Sequence, residues 1–139
     1  MQKYRSKLSG PLLDRIDLHL EVPRVPVQLL HERPEEESSA AIQQRVEQAR
    51  AIQLERFRPR SAFPFNSTMS GEDLRRYARL EKEGQEMLQL AFEKLGLSAR
   101  AYDRIVKVAR TIADLDGAEA IQPTHVAEAI RYRALDRVT

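Results

Sequence analysis

The chain contains no cysteine. That excludes disulfides and thiolate metal sites and is compatible with a reducing compartment. No run of 18 apolar residues occurs, so no segment is expected to span a membrane. The first ten residues, MQKYRSKLSG, lack the apolar core of a signal peptide, and the expected location is cytoplasmic. Charge of one sign is scarce as well: 23 Lys and Arg against 21 Asp and Glu leave a net +2, too little to announce a nucleic-acid binder. The five glycines, at 10, 71, 84, 96 and 117, are scattered singly. None falls in a G-x-x-x-x-G-K-S/T pattern, so the chain carries no phosphate cradle of the P-loop kind. His19, His31 and His125 lie in three different elements, with no HExxH and no paired-carboxylate motif to join them. If such a chain takes part in catalysis, it is expected to contribute groups to a site assembled elsewhere.

Over 139 residues, 42% are hydrophobic and 32% charged, the composition of a helix-rich domain. Lys3, Arg5 and Lys7 read as the tail of a helix that Gly10 and Pro11 end. Residues 16–22 then alternate, with Ile16, Leu18, Leu20 and Val22 on one side and Asp17, His19 and Glu21 on the other. This predicts a strand with one buried and one polar face, His19 being a polar strand residue. Pro23, Pro26 and Pro34 keep residues 23–34 out of regular structure. No second strand can be found, and a lone strand leaves its backbone groups unpaired. Its partners are therefore expected upstream of this chain, or on another chain. The alternation marks it as an edge, since a central parallel strand is apolar on both faces.

From residue 35 onward the pattern is helical. A helix begins near Ser38, with Ala41, Ile42, Val46, Ala49, Ile52 and Leu54 as its apolar stripe, and ends near Phe57 before Pro59. Residues 58–69 form a loop that Phe63 and Phe65 pin to the core. Ser70 caps a short helix with Asp73 in capping-box position. A further helix over 81–95 carries Met87, Leu88, Leu90, Ala91, Phe92 and Leu95 and stops at Gly96. A last one starts at Pro123, with His125 on its surface and Val126, Ala127, Ala129, Ile130 and Leu135 apolar.

Between these two lies residues 98–116, SARAYDRIVKVARTIADLD, capped by Ser98 and ended by Gly117. Tyr102, Ile105, Val106, Ala109, Ile112 and Ala113 form its apolar face, and Arg100, Arg104 and Lys107 line the opposite one. Arg100 occupies a first turn where the helix dipole favours acidic residues, and Arg104 repels it from one turn above. Two arginines at a helix start make sense where an anion docks, phosphate above all; the bland reading is a solvated surface arginine. A second candidate is Arg15, between Asp14 and Asp17 and just before the strand. It is either held at the surface by its flanking aspartates or presented as a guanidinium to a neighbouring molecule, where it would stabilise charge on a transferring phosphoryl group.

Two stretches carry a family likeness: KLSGPLLDRIDLHLEVPRV (7–25), and LGLSARAYDRIVKVARTIADLDG (95–117) followed by IQPTHVAEAIRYRALDR. With the intervening ESSAAIQQRVEQAR they resemble the C-terminal part of the bacterial magnesium-chelatase-like AAA+ ATPases of the competence protein ComM type. The resemblance covers nearly the whole chain, and residues 55–80 are its least specific part. It implies a mainly α fold: a helical bundle, the AAA+ lid, preceded by one edge β-strand left from an α/β ATPase core. Residues 1–34 would be the end of that core and 35–139 the lid. It further implies that Arg15 is an arginine finger acting in trans on ATP bound by the adjacent subunit. Arg100, in Ser98-Ala99-Arg100, would be a sensor-2 arginine, in cis or in trans. The complete protein would use ATP and Mg2+, assemble identical subunits into a ring, as a hexamer, and act on DNA as a branch-migration helicase. The present chain would bind no cofactor alone and be inactive.

Two alternatives remain. One is a helical nucleic-acid-binding module whose Arg100, Arg104, Lys107 and Arg110 touch the DNA backbone, although Arg110 lies off the line of the other three. The other is part of a metal-chelatase-type ATPase, which couples ATP to metal insertion.

Overall fold

The computed structural model describes residues 9–27, 36–58 and 64–133. Lys3, Arg5, Lys7, His31, Phe63 and Leu135 lie outside them. Six helices succeed one another in order: α1 (Gly10–Leu13), α2 (Ser39–Phe57), α3 (Gly71–Tyr77), α4 (Lys82–Leu95), α5 (Ala99–Leu115) and α6 (Pro123–Arg131), with a 3-10 turn at Asn66–Thr68 between α2 and α3. The helix boundaries are written in short-range chemistry. Ser38, Ser70 and Ser98 each accept a hydrogen bond from a backbone N–H three residues on. Asp73 returns the bond to Ser70, closing a capping box. Gly96 ends α4 at φ 61°, a left-handed conformation that costs glycine nothing.

The organising element is α5. It packs against α2, α3, α6 and the 3-10 turn, while α4 packs on α6. Ala101, Ile105, Ala109 and Ala113 succeed one another every four residues on its buried face, with Val106 beside them. Around this seam Leu80, Leu88, Leu97, Ile121, Val126 and Ala129 complete the core. The alanines let the helices approach closely. On α4, Gly84 serves the same end: a Cβ there would stand 3.4 Å from Val126 Cγ2.

Several expectations are corrected. Gly10 and Pro11 open a helix, since proline at the first helical positions lacks only an N–H that has no intrahelical partner there; the helix expected ahead of them, with Lys3, Arg5 and Lys7, lies outside the described residues. Among the described residues no strand forms; residues 16–22 make one isolated parallel bridge, His19 to Arg133. Nor is its apolar side the buried one: only His19 of this segment is buried, while Leu20 and Val22 are 68% and 79% exposed, since among the described residues no sheet covers them. On α2 the buried residues are Ala49, Gln53 and Phe57, whereas Ile42, Val46, Ile52 and Leu54 are exposed. Ile42 and Val46 share a face with Ala49, Gln53 and Phe57, so that face is covered only in the C-terminal half of α2, where Phe57 packs edge-on against Tyr77 at 5.7 Å. On α4, Leu90 is exposed. Phe65 is only partly covered, with the Arg50 guanidinium 3.9 Å above its ring. His125 is buried: Gln122 N–H donates to its Nδ1 at 3.0 Å, and its Nε2 lies 3.1 Å from Asp116 Oδ2, so the ring forms the cap of α6.

Candidate functional site

One side of α5, from Arg100 to Leu115, forms a wall of a groove of about 550 Å3. Arg100, Arg104 and Lys107 line it, with Asp17 and Leu18 from the N-terminal segment, Ser67 from the 3-10 turn, and Glu128 and Tyr132 from α6. The three cations that the periodicity puts on one face of the helix thus share one concavity. They are not equivalent. Arg104 pairs with Asp17. Lys107 Nζ donates to the Ser67 carbonyl at 3.0 Å. Arg100 has no hydrogen-bond or ion-pair partner among the described residues and is exposed. The Asp17 carboxylate next to Arg104 relieves the like-charge repulsion between Arg100 and Arg104. The groove therefore presents one uncommitted guanidinium at the capped, dipole-positive start of a helix, which suits an anion.

Arg15 is not among the groove residues. It lies in the turn after α1, its backbone N–H donating to the Leu12 carbonyl at 3.0 Å, and its side chain is exposed. The flanking aspartates are engaged elsewhere: Asp14 Oδ1 lies 3.9 Å from Arg133 Nη2, and Asp17 pairs with Arg104. The surface ion pair expected for Arg15 is thus absent among the described residues.

Sequence reading missed a buried polar cluster behind the groove. Asp114 on α5, 1% exposed, accepts from Arg56 Nη1 and Nη2 of α2 at 2.7 and 2.5 Å. It also accepts from Arg110 Nε at 3.1 Å and from Asn66 Nδ2 at 2.7 Å. Arg110 spends its remaining donors on the carbonyls of Ala118 and Glu119, in the turn after α5. Burial pushes the Arg110 guanidinium below its usual range, and the Asp114 charge works against that shift. The cluster fixes Asn66, and thereby the Ser67 wall of the groove. Arg110 is consequently unavailable to nucleic acid; of the four α5 cations that a DNA-binding module would use, only Arg100 stays uncommitted. The available signal was position: Arg110 comes one turn after Val106, and Asp114 one turn after Arg110, extending the buried arc of α5 sideways.

Among the described residues no group of three or more His, Cys, Asp or Glu is placed to hold a metal ion. No helix there is long and apolar enough to cross a membrane.

Residues 36–133 match the family described as magnesium chelatase, subunit ChlI C-terminal, and residues 1–30 match magnesium chelatase, subunit ChlI. The chain is 42% identical over 139 residues to competence protein ComM of Haemophilus influenzae, covering 99% of the chain and 26% of that protein. It is 42% identical over 137 residues to the uncharacterized protein YifB of Escherichia coli, covering 98% and 26%. With the uncharacterized protein Rv2897c of Mycobacterium tuberculosis the identity is 36% over 132 residues, covering 95% and 26%. The chain thus spans about a quarter of the length of the curated relatives it matches. With more than half its length, including the whole of α2 to α6, inside the first of these matches, the chain belongs to the magnesium chelatase ChlI C-terminal family.

Proposed function

We propose that this chain is the finger-and-lid portion of an ATP-driven, ring-forming AAA+ motor of the ComM type. Residues 1–34 are the end of the ATPase core and 35–139 are the lid. The observation that carries the reading is Arg100: an exposed, unpartnered guanidinium on the first turn of a serine-capped helix, in a groove whose other cations are engaged. A guanidinium there fits a phosphate oxygen and would act as the sensor that couples nucleotide to lid position. Arg15, exposed and released from its neighbouring carboxylates, is the finger for ATP held by the adjacent subunit. Its contribution is electrostatic: it stabilises charge on the phosphoryl group in flight. ATP and its Mg2+ are held by residues outside this chain, which has no P-loop.

In the complete protein, Arg15→Ala is expected to leave ATP binding near normal while slowing hydrolysis by on the order of a thousandfold or more. Wild-type turnover in that variant, measured by phosphate release, would remove the finger assignment. DNA branch migration by a hexameric ring in the cytoplasm is the work we assign to the motor, on its likeness to a protein named for competence. The second reading, a motor for metal insertion, is favoured by the description of the matched family. ATPase stimulation by branched DNA, or by a porphyrin-bound metallating partner, separates the two.

A further inference from the structure

Arg15 and Arg100 sit on different segments, and the structure ties the Arg15 segment to α5 through Arg104 and to the residues after α6 through Arg133 and Tyr132. Arg104, one turn along α5 from Arg100, pairs with Asp17, two residues after Arg15. Arg133, at the end of α6 and 1% exposed, donates from Nη1 to the Ile16 carbonyl and faces Asp14 at 3.9 Å. His19 N–H donates to the Tyr132 carbonyl at 2.6 Å. Residues 14, 16, 17 and 19 are all held by α5 or by the end of α6, and α6 is packed on α5. In the midst of that run, Arg15 projects a side chain without a partner among the described residues.

We propose that Arg104 and Arg133 are positioning residues that latch the Arg15 segment to the sensor helix, so that phosphate contact at Arg100 sets where Arg15 points. The inference rests on the roles proposed above for Arg15 and Arg100. Its physical basis is stiffness. Arg100 and Arg104 are separated by one turn of a continuous helix, roughly 6 Å of axial rise, and a rigid helix transmits a displacement at one to the other. A partly exposed ion pair contributes little to stability, so the Arg104–Asp17 pair has no evident structural purpose. As a mechanical tie it joins the site that detects ATP to the group that helps cleave it. Misplacing a catalytic group by about 1 Å is enough to cost on the order of a hundredfold in rate.

The test is steady-state ATPase kinetics of the complete, assembled protein. Arg104→Glu is expected to lower kcat by roughly 10- to 100-fold; because its new carboxylate stands beside Arg100, the KM for ATP is read in Asp17→Asn, where it is expected to stay within about twofold while kcat falls likewise. The exchanged pair, Arg104→Asp with Asp17→Arg, is expected to recover kcat to within about threefold of wild type. Should Arg104→Glu not assemble, Asp17→Asn removes the tie without adding repulsion and is read in the same way. Full kcat in Arg104→Glu or Asp17→Asn, beside an inactive Arg15→Ala, overturns the latch and leaves the finger standing. An exchanged pair no better than Arg104→Asp alone overturns it too. An active Arg15→Ala takes down the finger, and the latch with it.

Discussion

Asp114 shows how much one residue can hold. Its carboxylate receives Arg56, Arg110 and Asn66 in a site with almost no water access, and the neutralisation is mutual. Truncating it strands two guanidiniums, whose side chains are 11% and 4% exposed, without a counter-charge. Asp114→Ala is expected to destabilise the chain by about 3–5 kcal/mol, measured by urea denaturation, since breaking a buried ion cluster costs more than forming it contributes. A loss near that of a surface substitution would show that the cluster relaxes into water. None of this is legible in the sequence, because arginine and aspartate are read by default as surface residues. Arg100 is legible for the opposite reason. Its oddity, a cation in the first turn of a helix, is local and needs no knowledge of the fold.

Among elements, the serine caps, Gly96 and Pro123 can be read directly, because each acts within four residues of itself. What periodicity cannot supply is how much of a face the core covers, or which face. Of the apolar stripe of α2, Ala49 is buried together with Gln53 and Phe57, yet Ile42, Val46, Ile52 and Leu54 are exposed; Gln53 Oε1 accepts from Asn66 N–H at 3.1 Å. Phe57→Ala is therefore expected to cost about 3–5 kcal/mol in thermal or urea unfolding. Ile42→Gln, at a site 43% exposed, is expected to change stability by less than about 0.5 kcal/mol. Equal losses from the two substitutions would restore the stripe as the packed face. Residues 16–22 obey the same rule. Their alternation is plain, but alternation describes two faces and stays silent about which one finds a neighbour. Here His19, on the polar side, is the one that docks.

At the scale of the molecule, one long helix collects the others, and the groove, the sensor candidate and the buried cluster are all attached to it. On the proposed function, the phosphate cradle and the metal-holding acids belong to the part of the motor outside this chain. The purified chain is expected to show no ATP turnover above background in a coupled assay, with or without Mg2+. Measurable turnover by this chain would refute its assignment as a finger and lid.

The bond from Arg133 to the Ile16 carbonyl joins residues 117 apart in sequence. On the ribosome, where synthesis proceeds at roughly 5–20 residues per second, the segment around Arg15 must wait through several seconds of further translation before its anchor emerges. Docking of that segment is thus completed only once α6 has been made, and a nascent chain that stops before Arg133 holds the Arg15 segment by the Arg104–Asp17 pair without its second anchor.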